Sequence, residues 1–543
     1  MRPVTAVARA LTTVAALATL ALSGAVAACA RPHPAADAVA GSDGVRRATL
    51  MFFSDAHADL EAHPELFWDD AGHTELATAG GYARLAQVAR EIRADTADRA
   101  LLIDGGDTFQ GSAAATWSRG EVVVAPQRAL GVDLGIPGNW EVVYGPPRMK
   151  ELAAETGYPW LAANVVDAAT GAPVFAPTAV REIGGVKFGF VGFTDPDVPA
   201  RQAPAYSKGL RFLGAESLVE PARALRAQAD VVVLVAHLGL ARTVGLVETM
   251  PGAFDLVLSG DTHERVKAPI VRGDTTIVEP GAFGSFLGRV DVTLAPREKP
   301  RFGWQLLELR ADRYGEAPDV ARVVQGALAP YRARMDAKVC DAATPLERYG
   351  VVENSLDALY VRALKERTGA DVALSNGFRF GHPLAPGPIT DGDLMRFFPI
   401  DGRIKVGKVS GAQLRAFWES EIEHVFARDP TRLFGGWLTR VAGMAVRFRA
   451  DAPPGQHVTS IEIAGKPLDP SATYTVASCE REGDAEDTVC RMKGVREPRT
   501  LELSAREVFR DWLHERGEAS APTTSSVVAE DLPAHVYSQW ARR

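Results

Sequence analysis

Cysteine is scarce in this chain, with 4 among 543 residues, too few to staple a small disulfide scaffold. A basic surplus is also missing. Lys and Arg number 60 against 68 Asp and Glu, a net charge of −8, and no basic stripe stands out. A protein that coats a nucleic-acid polymer therefore has no electrostatic support here. Beyond residue 29 no apolar run approaches the ~20 residues that a membrane-spanning helix needs, and there is no internal repeat. What is present is ordinary for a folded globular protein, 46% hydrophobic and 24% charged residues, which excludes wholesale disorder, collagen and coiled coil. At ~150 residues per domain the length alone suggests three to four units. Composition is silent about chemistry.

The first 29 residues carry Arg2 and Arg9, no acid, and an apolar run from Ala10 to Leu22. That run is too short to span a bilayer and reads as a secretory signal. Val26-Ala27-Ala28-Cys29 resembles a bacterial lipobox, which predicts a mature protein outside the cytoplasm, periplasmic or at the cell surface, with a lipid on Cys29 as its membrane attachment. Ordinary cleavage near Ala28 is the alternative. Removing residues 1–29 takes away two arginines and no acid, so the net charge goes from −8 to −10. In an oxidising compartment Cys479 and Cys490 are spaced for a disulfide loop, with Cys340 left over; three free thiols is the competing reading.

Residues 30–46 read as a tether. From about 47 to 297, short β-rich apolar runs (48–53, 100–103, 187–193, 230–236, 255–258, 276–278) alternate with helical spacing such as Leu85, Val88, Ala89 and Ile92. This predicts a layered α/β domain. Residues 298–345 read as a linker whose helical segment, 318–337, is interrupted by Pro330. A second, smaller α/β domain over 346–518 contains a helix at 355–368 and a strand at 371–375, and 519–543 reads as a tail.

Ligands of open α/β sheets collect at the carboxyl ends of the strands. Five predicted strand ends here carry residues of metal-ligand type: Asp55 and His57; Asp107 after Gly105-Gly106; Asn139 and Glu141; His237; and Asp261 with His263. Each alone is weak, because a lone strand-end Asp is commonly a helix cap and Gly-Asp is an ordinary turn. Five such sets in one domain are not expected from caps and turns.

The order D-x-H, GGD, GN-x-E, H, G-x-x-H resembles the calcineurin-like metallophosphoesterases, and more narrowly the 5′-nucleotidase superfamily, over about residues 48–515. The resemblance implies a four-layer β-sandwich metallophosphoesterase domain flanked by helices, joined by a helical linker to a smaller α/β substrate-binding domain. It implies two divalent metal ions, one held by Asp55, His57, Asp107 and His263, the other by Asp107, Asn139, His237 and Asp261, with Asp107 bridging. Such a pair clamps a tetrahedral oxyanion and acidifies a shared water, whose hydroxide attacks in line. Asp261 departs from the family's G-H-x-H, and its hard oxygen should favour manganese, or magnesium, over zinc.

The larger departure is Gly138-Asn139-Trp140-Glu141-Val142-Val143, where family phosphatases read GNHEFD. Trp140 replaces a transition-state-stabilising or acid His and Val143 its Asp partner, so catalysis rests on Asp107, Asn139 and whatever Trp140 contributes. Lost acid–base assistance costs about 10²–10⁴-fold. One branch of the superfamily, the SoxB-type thiosulfohydrolases, also carries Trp there and releases sulfate from an S-sulfonated cysteine on a carrier protein. GDTFQGSAAATWSRG, WEVVYG, SNGFRFG and DPTRLFGGWLTRVAG look more like that branch, whereas Asn139 is phosphatase-like.

In the second domain SNGFRFG resembles the nucleotidase N-G-x-x-R segment, making Asn376 and Arg379 candidates for holding an anion. Phe378, Phe380, Phe434 and Trp437 are candidate pocket walls. Nucleotidases clamp a purine with an aromatic after G-G-D-G; here Arg481-Glu482-Gly483-Asp484-Ala485 has none. The expected substrate is a small nucleotide-type phosphate ester, with an S-sulfonated carrier protein as the alternative and a non-catalytic binding lipoprotein as the third reading. A monomer is expected.

Overall fold

The computed structural model describes residues 44–69, 71–376, 379–429, 432–433, 436–533, 535–538 and 540. The leader, Cys29, most of the tether, Phe378 and Phe434 lie outside them. The described residues belong to one compact unit.

The apolar runs of the first half become the strands Arg46–Phe53, Ala100–Asp104, Val186–Thr194, Val231–His237 and Leu256–Gly260. They build two sheets. In the first, Arg46–Phe53 pairs in parallel with Ala100–Asp104, Phe53 opposite Asp104, and antiparallel with Phe286–Leu294. In the second, Val231–His237 lies in parallel between Val186–Thr194 and Leu256–Gly260, with His237 level with Thr194 and Gly260. Alternation of side chains does the layering. Leu50, Phe52, Leu101 and Ile103 meet Phe188, Phe190, Val233 and Val235 between the sheets. Met51, Phe53 and Leu102 face the helices Tyr82–Asp95 and Glu121–Leu130. Val232, Leu234 and Val257 face the helices Val219–Arg226 and Leu240–Thr249. The result is the expected helix–sheet–sheet–helix sandwich. Strands covered on both faces must be apolar throughout, which is why they read as continuous runs.

The connector differs from expectation in one part. Arg301–Glu308 is an edge strand of the first sheet, paired with Phe286–Leu294, because its alternating exposed and half-buried residues suit a sheet edge. The helical part is as expected: Pro318–Leu328, a tight turn at Ala329–Tyr331 holding Pro330, then Arg332–Met335. Val320, Val324 and Leu328 bury that helix against the first sheet's outer layer.

The second half is built on a five-stranded sheet in the order Arg440–Ala442, Val372–Ser375, Thr473–Cys479, Arg403–Ser410, Arg496–Ser504. Helices Ser355–Thr368 and Ala505–Arg516 cover one face and Gly411–Phe426 the other. Their starts are written in the sequence: Asn354 caps the first, and Ser504 with Glu507 and Ser410 with Gln413 form capping boxes.

Of the two readings of the cysteines, the structure has the free thiols, at Cys340, Cys479 and Cys490. Cys479 borders one apolar cluster of this domain and Cys490 lies in the other. Burial pushes the Cys490 thiol up to about 12 and that of Cys340 to about 11, leaving both protonated and unreactive. The described part of 519–543 docks on the molecule. Val527–Ala529 adds a parallel strand beside Met444–Phe448, and Tyr537 stacks on Trp68 of the first domain at 4.7 Å. Val527 and Val536 are the buried apolar anchors that a polar-looking segment conceals. Among the described residues no helix is long and apolar enough to cross a membrane.

Candidate metal centre

The registers above place the five motif-bearing loops at one edge of the sandwich. Backbone hydrogen bonds then zip the first two together, Asp55 N–H to Gly106 O and His57 N–H to Asp107 O, each 2.9 Å. Two glycines permit the approach. A Cβ on Gly138 would lie 2.2 Å from Asp107 Oδ1, and one on Gly260 would lie 2.2 Å from Ser54 Oγ. Asp55, His57, Asp107, Asp261 and His263 all adopt positive φ, between 47° and 89°. Left-handed backbone is costly for residues with a Cβ and is retained where the surroundings enforce it, commonly at functional sites.

Six of the seven candidate ligands are essentially buried: Asp55, His57, Asp107, Asn139, His237 and Asp261; His263 is half-buried. Two sets of three converge closely enough to hold an ion, Asp55–His57–His263 and Asp55–Asp107–His237. Asp107 Oδ2 is 3.3 Å from His237 Nε2 and 3.8 Å from His57 Nε2, so Asp107 lies between the sets. Asp55 shares that central place, with Oδ1 3.3 Å from His263 Nε2 and 3.7 Å from His237 Nε2. His57 and His263 face each other Nε2 to Nε2 at 3.2 Å.

The ring orientations are fixed from behind. His57 Nδ1 contacts the Gln110 carbonyl at 3.0 Å and His237 Nδ1 that of Gly105 at 2.7 Å, which turns both Nε2 atoms inward. Asp55 Oδ1 and His237 Nε2 are buried with no hydrogen-bond partner in the protein. Acceptor atoms left unsatisfied and aimed at one point are what a cation would complete, so the donor set fits metal ions.

Reading outward, Asn139 donates to Asp261 Oδ1, and the Trp140 N–H donates to Asp107 Oδ1 at 2.8 Å. Arg379 is buried, but it does not point an open fork at the centre: it donates to the backbone carbonyls of Thr262, 2.9 Å, and Asp261, 3.0 Å. Phe380 does arrive at the site, its ring 5.0 Å from His57 and 5.3 Å from Trp140, edge-on to both. Trp437 is buried in the second domain's core, with the Arg379 guanidinium 6.0 Å from its ring. Asn376 is half-buried just past the strand Val372–Ser375.

Four residues with no assigned role in the sequence prove to shape the centre. Glu141 accepts from the backbone N–H groups of Asp107, Thr108 and Gly138 at 3.0, 2.7 and 2.6 Å, holding the GGD and GN loops together. Burial and the neighbouring Asp107 push its carboxyl up to about 8. Glu279 does the same work behind the last loop, accepting from Ser259, Thr262 and the Glu264 N–H. Arg201 pairs with Asp261, and Gln202 reaches Asn139 Oδ1 at 3.4 Å. Glu141 was visible inside its motif; the other three are not part of any local pattern.

The 5′-nucleotidase C-terminal domain model matches residues 338–480. Protein UshA of Yersinia enterocolitica is 22% identical over 79% of this chain and 84% of its own length. Among solved structures, the sulfate thiohydrolase SoxB of Thermus thermophilus superposes with a TM-score of 0.79, at 26% identity, covering 90% of this chain and 98% of that one. A 5′-nucleotidase precursor of Thermus thermophilus gives 0.75 at 23% identity, covering 90% and 100%. Residues 338–480 thus carry a 5′-nucleotidase C-terminal domain, and the chain as a whole is similar to proteins of the 5′-nucleotidase superfamily.

Proposed function

We propose that this protein is an exported hydrolase, lipid-anchored through Cys29, that cleaves a small nucleotide-type phosphate ester with the help of two divalent cations, manganese ahead of magnesium or zinc. One observation carries the reading: buried imidazole and carboxylate atoms from four strand-end loops converge, with Asp55 Oδ1 and His237 Nε2 left unsatisfied among them. Cations held there supply charge stabilisation for the reacting oxyanion and an acidified water.

The chain's own residues do the rest. Asp55, Asp107 and the Nε2 atoms of His57, His237 and His263 bind; Gln110 and Gly105 carbonyls orient the rings. Glu141 and the Trp140 N–H hold Asp107 in place. The rings of Trp140 and Phe380 wall the centre against water on the side of the second domain. Position 140 offers no imidazole to protonate a leaving group, so turnover should favour leaving groups that depart unassisted.

The same absence supports a second reading, a SoxB-type thiosulfohydrolase acting on an S-sulfonated carrier protein. A thiolate, with a pKa near 8.5 in an ordinary cysteine, leaves without a proton donor far more readily than an alkoxide. The experiment is metal analysis and a substrate panel on the protein lacking residues 1–29. Manganese-stimulated phosphate release from AMP, ADP or bis(p-nitrophenyl) phosphate is expected. Sulfate release from an S-sulfocysteine peptide without phosphate release would move the assignment to the second reading. No turnover of any of these with stoichiometric metal bound would overturn the hydrolase assignment.

A further inference from the structure

Asp261 stands where the resemblance leads one to expect a neutral His, and a carboxylate there adds one negative charge to the centre. The structure supplies the matching positive charge. Arg201 ends the four-residue helix Val198–Arg201, with Nη2 3.3 Å from Asp261 Oδ1 and Nη1 3.4 Å from Oδ2. Its other partner is Asp195, fully buried, which also receives Arg242 at 2.9 Å. Asn139 donates to the same Asp261 carboxylate. Both Asp261 oxygens are thus engaged by the protein, in contrast to Asp55 Oδ1, which is left without a partner. The next residue, Gln202, is buried and contacts Asn139. One short segment therefore reaches both outer ligands of the second ion.

That segment is itself held by the second domain. Arg481 donates to the Ala200 carbonyl, and Gly483 abuts Pro204 so closely that a Cβ would lie 2.5 Å from the proline Cδ. The loop that replaces the nucleotidase G-G-D-G segment grips the helix carrying Arg201.

We propose that Arg201 is a built-in counter-cation of the second metal subsite, which makes the two subsites unequal: the ion at Asp55, His57, Asp107 and His263 is held tightly, and the one at Asp107, Asn139, His237 and Asp261 weakly. The inference rests on the two-metal reading and adds a specificity-determining residue to it. Like charges a few ångströms apart repel strongly in a buried site, and a carboxylate already paired is a poorer ligand.

Equilibrium dialysis with Mn²⁺ and metal counting tests it, with electron paramagnetic resonance to distinguish isolated from coupled manganese. The wild-type protein should fill one site well before the other. Arg201→Gln should tighten the weaker site by about tenfold or more and leave the stronger one unchanged, so that coupled manganese appears at lower metal concentration. Arg201→Lys, which keeps the charge, should retain the wild-type inequality. Should Arg201→Gln fold poorly because Asp195 loses a partner, the double variant Asp195→Asn/Arg201→Gln avoids the orphaned carboxylate, still frees Asp261 from its ion pair, and should show a smaller tightening in the same direction. Weaker or unchanged second-site binding in these variants overturns the role of Arg201 while two bound ions leave the two-metal reading standing. Failure of the wild type to bind any Mn²⁺ would instead overturn that reading and the inference with it.

Discussion

Two of the places where the molecule buries charge are built in opposite ways. In the second domain, Asp357 receives Arg348 at 2.8 Å, Asn354 at 2.9 Å and Ser375 at 3.4 Å, while Arg348 and Arg440 spend their remaining Nη groups on the carbonyls of Phe397 and Gly350–Val352. The unpartnered atoms there are single Nε–H groups on cations already paired. In the metal centre the unpartnered atoms are acceptors that face one another. The backbones differ too: none of Glu347, Arg348, Asp357 and Arg440 has positive φ, whereas five candidate ligands do. The first arrangement is complete within the protein and fixes the packing of a sheet against its helices. The second is strained and leaves acceptors unsatisfied, the arrangement that a bound cation would complete. Burial of charge alone does not mark a functional site; unsatisfied convergence does.

The sharpest way to break this contrast is Asp107→Asn. It removes the carboxylate nearest His237 while keeping the side chain's shape, and should cost on the order of 10³-fold or more in turnover, with loss of bound manganese in the same protein. Retained two-ion occupancy would sink its central role. Asp357→Asn is the counterpart in the second domain. It leaves Arg348 and Arg440 as buried cations short of an anion and should lower unfolding free energy by about 3–5 kcal/mol. Denaturant melts with and without Mn²⁺ should show the same loss. A metal-dependent loss would mean that the two regions are not independent.

How much of this could be read beforehand follows the same division. The strand-end ligands were legible because each terminates an apolar run and brings its own short motif: Asp55-x-His57, Gly106-Asp107, Gly138-Asn139, Asp261-x-His263. The helix at 355–368 was legible too, and the structure adds that Asn354 caps it. Arg201 was not, since nothing in its own neighbourhood says that it meets a residue 60 positions later; only the fold creates that pair. Arg379 is expected from its segment to hold an anion, yet its fork is turned to the carbonyls of Asp261 and Thr262 rather than left open. The C-terminal segment misled because a few apolar residues, Val527, Val536 and Tyr537, dock a stretch whose average composition is that of a tail.

The smallest expected effect is also the one that most directly compares the two regions. Burial, and after it the charge of Asp55, pushes Glu279 up to about 8 from an ordinary 4.5. A carboxyl whose folded value is raised contributes stability that is fully present below about 4.5 and is lost as pH rises through about 8. Metal-free protein should therefore lose stability between these limits, and Glu279→Gln should flatten part of that loss, with Glu141 responsible for another part. Mn²⁺ bound at Asp55 would cancel one of the charges that raises Glu279, so adding metal should shrink the effect of the variant. Glu347 in the second domain is likewise raised by burial, but the charge acting on it is Arg440, which lowers it. Its pH contribution should have the same sign and be indifferent to metal. Chemical denaturation of wild type, Glu279→Gln and Glu347→Gln across pH 5 to 8, with chelator or with Mn²⁺, checks both halves. An equal metal response in the two variants would show that the electrostatics of the centre reach across the domain boundary and that the contrast drawn between the regions is false.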